Sequence, residues 1–152
     1  MITIYTDGCS RGNPGPGGFG TVLLSGHHRK ELAEGYRLTT NNRMELLAVI
    51  KGLEALKKTG SHVTVYSDSK YVVDSVEKKW VFGWEKKDFK NKMNPDLWMR
   101  FLNVYRRHHV KFVWVKGHAS NELNNYCDQI AVEASFGKHL LEDTGYRSPA
   151  SV

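Results

Sequence analysis

Residues 2–24 read ITIYTDGCSRGNPGPGGFGTVLL. Ile2 and Ile4 fall on one side and Thr3 and Tyr5 on the other, the alternation of a strand that runs into Asp7-Gly8. The segment Arg11 to Gly18 is rich in glycine and proline, which predicts a tight loop exposing many backbone amides. Phe19 to Leu24 resumes as a strand. A polar turn over Ser25–Arg29 leads to a third strand over Lys30–Arg37. Connections this short favour antiparallel neighbours, so the three strands form a meander.

Beyond the meander the period changes. Thr39-Thr40-Asn41-Asn42 offers several capping side chains and marks a helix start. The helix expected over Arg43–Lys58 places Leu46, Val49, Ile50, Leu53 and Leu56 on one stripe. At about 100° per residue, Glu45 falls on the edge of that stripe. Val63–Tyr66 reads as a strand ending at Ser67-Asp68-Ser69, and Lys70–Lys79 as a second helix. Asp96–His108 is expected to be helical after Pro95. Val110–Val115 is a strand with Phe112 and Trp114 on one face, and Leu123–Phe136 is a last helix carrying Asp128. From Lys138 no period predicts an element, and the end is expected to be loosely held. The order β-β-β-α-β-α-α-β-α predicts an α/β protein. Its mixed five-stranded sheet joins an antiparallel meander to parallel strands, with helices on both faces. One domain over residues 1–146 is expected, with a flexible tail at 147–152.

The chain has 152 residues and carries 22 Lys and Arg against 16 Asp and Glu, a net charge of +6 with a pI near 9.3. Such a balance points to a polyanionic partner. Cys9 and Cys127 stand far apart with no Cys-x-x-Cys pair, which speaks against zinc and for free thiols in a reducing compartment. The first residues lack a basic segment followed by an apolar one. No apolar run approaches the roughly 20 residues of a membrane span. A cytoplasmic protein that does not engage a membrane is expected.

Against this basic background four acids sit in short polar motifs: Asp7, Glu45, Asp68 and Asp128. Singly, each has a plain explanation. Asp7 makes an Asp-Gly turn, Asp68 caps a helix, and Glu45 and Asp128 are solvated helix residues. Together they suggest otherwise, because a protein that attracts phosphates has no reason to gather carboxylates unless divalent ions stand between them. With two ions, one would activate the attacking water and the other would stabilise the leaving oxygen of a phosphodiester. His118 follows Lys116-Gly117 after a strand and is either an ordinary loop histidine or a proton carrier beside the metals. The segment from Trp80 to Trp98 interleaves aromatic residues with Lys86, Lys87, Lys90 and Lys92. It is either an amphipathic surface helix whose tryptophans complete the core or a nucleic-acid platform.

These motifs resemble those of bacterial-type ribonuclease H, type 1. Thr6-Asp7-Gly8 with Gly12 to Gly18 is similar to the opening signature of that family, and Thr39 to Leu46 to its second. Ser67-Asp68-Ser69-Lys70-Tyr71-Val72 is similar to the third. Trp114 to Ala119, followed by Asn124 and Cys127-Asp128, is similar to the fourth. The resemblance spans Ile2 to about Tyr146. It implies a ribonuclease H-like fold and an endonuclease that hydrolyses the RNA strand of RNA–DNA hybrids with little sequence preference. It implies two Mg²⁺ ions, with Mn²⁺ as a substitute, on Asp7, Glu45, Asp68 and Asp128. His118 would assist proton transfer or product release. Asn13, Asn41 and Asn42 would meet 2′-hydroxyls of the RNA strand, and Glu45 would also accept one. Thr40 and Asn94 would hold a phosphate of the DNA strand, and Trp80 would line its channel. The basic protrusion from Trp80 to about Lys92, with Lys86, Lys87 and Lys90, would grip the hybrid. Only RNA carries the 2′-hydroxyl, so short amide side chains can tell the two strands apart.

The sequence departs from the common pattern in places. Cys9-Ser10 inverts the usual order, Ser120 and Asn125 replace a frequent glycine and a frequent glutamate, and the protrusion is a few residues short. All four acids are in place. A transposase- or integrase-like core and a non-catalytic hybrid-binding module are the competing readings. The glycine-rich opening and the Asn-Arg-Met-Glu motif disfavour the first, and uncompensated acids facing phosphates disfavour the second. A monomer is expected.

Overall fold

A computed structural model of the chain describes residues 1–117 and 121–147. Five strands and five helices follow in the order β1 (Ile2–Ser10), β2 (Gly15–Ser25), β3 (His28–Thr39), α1 (Asn41–Glu54), β4 (His62–Ser67), α2 (Lys70–Glu77), α3 (Trp80–Lys86), α4 (Pro95–Tyr105), β5 (His109–Trp114) and α5 (Glu122–Ser135). The strands form one sheet in the order β3-β2-β1-β4-β5. β1, β2 and β3 pair antiparallel, while β4 joins β1 and β5 joins β4 in parallel. The expected mixed sheet is present. No helix among the described residues is long and apolar enough to cross a membrane.

The two faces of the sheet are covered differently. Phe19, Thr21 and Leu23 share one face of β2, and the Thr21 hydroxyl donates to the Ala48 carbonyl of α1 at 2.7 Å. On this side the main core gathers Ile4, Phe19, Val65, Leu46, Ile50, Leu53, Trp98, Phe101 and Phe112. α1 is buried on nearly all sides, including Leu47 and Ala48 away from the expected stripe, because α4 packs on the surface turned from the sheet. On the opposite face lies α5, seated on glycine. A Cβ on Gly20 would stand 2.4 Å from the Cys127 carbonyl oxygen, and one on Gly35 would stand 2.0 Å from that of Ala134.

That seat explains a departure from expectation. The loop predicted to run to Gly18 is shorter. Only Arg11–Pro14 bends, and Gly15–Gly18 belong to β2, with a register irregularity between Gly15 and Gly17. Of these glycines, Gly18 serves helix packing, because a Cβ there would meet the α5 backbone at Ala131 and Ser135, whereas Gly15 lies against the Arg11 backbone of the bend. α1 also ends at Glu54, before the predicted Lys58, with Ala55 as its cap. α3 is an additional helix that the sequence pattern did not resolve. It is set off by Lys79 in the left-handed region (φ 64°), a conformation unusual for a non-glycine residue.

The segment after Lys138 is tied down. Leu141 bridges to Tyr36, its N–H donating to Gly35 O at 2.8 Å while its carbonyl accepts from Arg37 N at 2.9 Å. Asp143 then meets Arg43, a guanidinium with only 2% exposure, at 2.7 Å. Asp96 holds the same guanidinium at 2.7 Å. These contacts replace the periodic pattern whose absence suggested a loose end. Of the tail expected at 147–152, Arg147 donates to Thr144 O at 3.0 Å, and residues 148–152 lie outside the described residues.

Replacing Gly20 by alanine should drive the new methyl into the α5 backbone. The expected cost is about 1–3 kcal/mol, the usual penalty for overpacking. A lowered urea midpoint, with faster amide exchange along α5, checks this. An unchanged midpoint would mean that α5 does not need the glycine seat.

Candidate active site

The parallel ladder between β1 and β4 ends at Tyr5 and Tyr66. Two residues further along each chain come Asp7 and Asp68. Asp7 is not at the end of its strand, as expected, but inside β1, still paired to Gly20 of β2. The gap arises because β4 stops at Ser67 while β1 continues. Ser69 caps α2 by accepting from Val72 N, which turns the chain away directly after Asp68.

Glu45 reaches the gap from α1. Thr40 fixes the start of that helix, its hydroxyl accepting from Arg43 N at 3.3 Å. Gly8 lets the helix come close, since a Cβ there would stand 2.4 Å from Glu45 N. Asp7, Glu45 and Asp68 consequently present carboxylate oxygens that all lie within 4.8 Å of one another. Asp128, on α5, lines the same cleft with Asp7 and Asp68 but does not belong to that close trio.

The trio is poorly solvated. Asp7 is 7% exposed and Glu45 9%. Burial is the main reason the Asp7 carboxyl is pushed up to about 7, with the charges of Asp68 and Asp128 adding to it while hydrogen bonds from Glu45 and Gly8 N oppose it. Burial, then Asp7 and Asp68, push Glu45 well above the ordinary carboxylate range. Glu45 Oε1 is buried with no hydrogen-bond partner among the described residues. Converging oxygen donors, an unpartnered buried oxygen and repelling carboxylates fit a hard divalent cation such as Mg²⁺ or Mn²⁺.

The rim carries the expected polar residues. Asn13 Oδ1 accepts from Asn41 N at 3.1 Å, and Asn41 Oδ1 accepts from Ser10 N at 2.6 Å, so Asn13 and Asn41 form one cluster. Asn42 lines the acid cleft beside Asn41. Asn94, in the left-handed region (φ 61°), stands apart: its Oδ1 accepts from Arg43 Nη1 at 3.3 Å and its Nδ2 donates to the Tyr71 hydroxyl at 3.1 Å. Trp80 is 48% exposed, with the Lys78 ammonium 5.3 Å from its ring centre. Lys86, Lys87 and Lys90 are exposed. Trp98 and Phe89 are buried, so these two aromatic residues of the Lys/Trp segment complete the core. Trp114 leaves the face of Phe112's core and is 43% exposed, its indole N–H donating to Asp68 O at 3.1 Å. His118 lies outside the described residues, and Gly117 before it passes Asp68 closely enough for a Cβ to stand 3.0 Å from Oδ2.

Sequence reading missed the Arg43 hub, which joins α1 to Asn94, Asp96 and Asp143. Its place inside the Asn-Asn-Arg-Met-Glu motif was the available signal. It also assigned no role to Asn124, one helical turn before Asp128.

Acids at the open end of a parallel strand pair, ringed by amides and lysines, define a metal-assisted phosphoryl-transfer site. The RNase H family matches residues 1–136, and the chain belongs to that family. A ribonuclease H from Syntrophus aciditrophicus (strain SB) is 55% identical over 151 residues, covering 96% of this chain and 87% of the relative. Among solved structures, LC9-RNase H1, described as a type 1 RNase H with the type 2 active-site motif, superposes with a TM-score of 0.80. It is 32% identical and covers 91% of this chain and 73% of that one. LC11-RNase H1, solved in complex with an RNA/DNA hybrid, gives a TM-score of 0.67 at 27% identity, covering 88% of this chain and 96% of that one.

The metal-free site makes stability depend on pH. Folded Asp7 keeps its proton to about pH 7, whereas an unfolded aspartate releases it near 3.8. Between those values the folded state binds more protons, so metal-free stability should fall as pH rises. From this group the slope is at most about 1.4 kcal/mol per pH unit. The raised Glu45 acts in the same direction. Urea unfolding in chelator across the window tests this. Asp7→Asn should flatten the slope and stabilise the metal-free protein above about pH 7. Stability rising across the window would contradict the assignment.

Proposed function

We propose that this ribonuclease H is an endonuclease that hydrolyses the RNA strand of RNA–DNA hybrids using two Mg²⁺ ions, with Mn²⁺ able to substitute. The observation that carries the reading is the trio Asp7, Glu45 and Asp68, within 4.8 Å of one another and with Asp7 and Glu45 buried, in a protein of net charge +6. Asp128 completes the ligand set from α5. When bound, the ions neutralise the carboxylates and lower the pKa of water at the scissile phosphate. Asp7 and Glu45 give up their raised-pKa protons on loading, so affinity for the ions should strengthen with pH.

The remaining residues bind and orient. Asn13, Asn41 and Asn42 take 2′-hydroxyls of the RNA strand, and Glu45 also accepts one. A DNA strand offers nothing at those positions. Thr40 and Asn94 take a phosphate of the DNA strand. Thr40 still has its O–H to donate, and Asn94 has the second hydrogen of an Nδ2 already turned to Tyr71. Trp80, exposed at the start of α3, lines the DNA channel, and Lys86, Lys87 and Lys90 meet the backbone. His118 moves a proton or aids product release. The enzyme acts as a cytoplasmic monomer, a reading with which the free thiols of Cys9 and Cys127 accord.

A labelled RNA–DNA hybrid should be cut in Mg²⁺ and left intact in chelator, and an all-DNA duplex should be left intact in both. Asp7→Asn should abolish cutting while the variant still binds hybrid without metal. Efficient cutting of all-DNA duplex, or near wild-type cutting by Asp7→Asn, would refute the reading.

Neutralising Lys86, Lys87 and Lys90 together should weaken hybrid binding. Each lost phosphate contact should lower the slope of log affinity against log salt by roughly 0.7 to 0.9. The rate at saturating substrate should change little. An unaltered slope would take the protrusion out of the binding surface.

A further inference from the structure

Where the ladder between β1 and β4 ends, the two strands lose their direct backbone pairing, yet the carboxylates they carry must keep a set separation. Two side chains cross the opening. The Thr6 hydroxyl donates to Tyr66 O at 3.2 Å. Asn124 Nδ2 donates to Thr6 O at 3.3 Å and to Tyr66 O at 3.4 Å. The first of these carbonyls belongs to the peptide that leads into Asp7. The second stands two residues before Asp68. One amide of α5 therefore spans both strands at the root of both acids.

The helix is registered for this contact. Asn121 caps α5, its Oδ1 accepting from Asn124 N at 3.1 Å. One turn on, the Cys127 thiol donates to Tyr5 O at 3.3 Å. Asp128 follows, so residues 124, 127 and 128 share the face turned to β1 and β4. The other amide atom is also informative. Asn124 Oδ1 is buried with no hydrogen-bond partner among the described residues. Asn124 lines a small pocket with Asp7, Asp68 and Asp128 that has about 10 Å³ for water centres, room for about one molecule.

We propose that Asn124 is a positioning residue of the acid cleft. Its Nδ2 clips β1 to β4 and fixes the separation of Asp7 and Asp68, and its Oδ1 holds one ordered water in the pocket among the aspartates. The proposal rests on the reading of those aspartates as metal ligands. It acts through them, because the amide itself reaches only the two carbonyls and the pocket.

The test uses the full chain and two variants. Asn124→Ala removes both functions of the amide. Asn124→Asp keeps its volume and an acceptor and exchanges the donor for a carboxylate, which adds a negative charge beside the three aspartates. Mn²⁺ affinity is measured by calorimetry without substrate, and kcat and KM on one hybrid, at a temperature where each variant is folded. Asn124→Ala should weaken Mn²⁺ binding by about 10- to 100-fold, the usual effect of losing a group that orients metal ligands. Both variants should lose kcat, with KM little changed. Wild-type Mn²⁺ affinity in Asn124→Ala, or wild-type kcat in Asn124→Asp, would overturn the proposal even if the urea midpoint fell, since that pattern is purely structural. Should neither variant fold, the Asn124 side-chain amide signals of the wild type decide. Slow exchange with solvent supports the clip, and exchange as fast as that of an exposed asparagine overturns it. A wild type that binds no Mn²⁺ and cuts no hybrid would refute the metal reading instead, while the exchange measurement would still judge the clip.

Discussion

Three carboxylates drawn within 4.8 Å of one another, two of them largely out of water, repel, and the fold has to hold them there against that repulsion. Within the trio, the hydrogen bond between Asp7 and Glu45 offsets only part of that repulsion. Glu45 keeps a buried oxygen without a partner among the described residues, and both Asp7 and Glu45 are pushed toward their protonated forms. The stability for this comes from elsewhere. α1 brings Glu45 in from one face because Gly8 has no side chain to hold it off. α5 brings Asp128 in from the other because Gly20 and Gly35 have none. The hydrophobic core under α1 and α4 makes the first approach rigid.

Arg43 is the positive counterpart of this arrangement, placed two residues before Glu45 on α1. It is almost wholly buried and takes two carboxylates, Asp96 and Asp143, each through two hydrogen bonds. Removing one partner of a buried pair typically costs about 3–5 kcal/mol, because a charge is left without compensation. The hub therefore locks the start of α1, the start of α4 and the C-terminal segment to one another. Asn94 hangs from the same guanidinium and, through Tyr71, from the indole of Trp98. Asn94, proposed above to hold a DNA phosphate, is in this way tied to the helix that carries a residue of the acid trio.

Charge is divided in space rather than balanced residue by residue. The acids lie at the floor of the cleft, while Lys86, Lys87 and Lys90 project from the end of α3 and the turn after it. The left-handed residues Asp88, Phe89, Asn91 and Asn94 fold that turn back so that Phe89 enters the core and the lysines face water. This division accords with the proposed reading, in which the arm would hold a long polyanion while its reacting phosphate met the acidic floor through cations.

Much of this was legible in the chain. Alternation at Ile2–Tyr5, the capping cluster at Thr39–Asn42 and the apolar stripe from Leu46 to Leu53 are local patterns, and local periodicity is what sequence records directly. The four acids were legible because they contradict the charge around them. Other features depend on groups distant in sequence. Gly18 looks like part of a loop until α5 is laid across β2. The end of the chain looks loose until Asp143 reaches Arg43, 100 residues away. Asn124 looks like an ordinary helix residue until its amide is seen to close the gap between two strands. The separation of Asp7 from Asp68 follows from where the β1–β4 ladder stops, and the place of Asp128 outside the close trio follows from how α5 packs on the sheet. The sequence by itself determined which residues are available for chemistry, because residue type and local spacing suffice for that. Only the tertiary structure decided how close they come and how much water they lose, because those quantities are set by long-range packing.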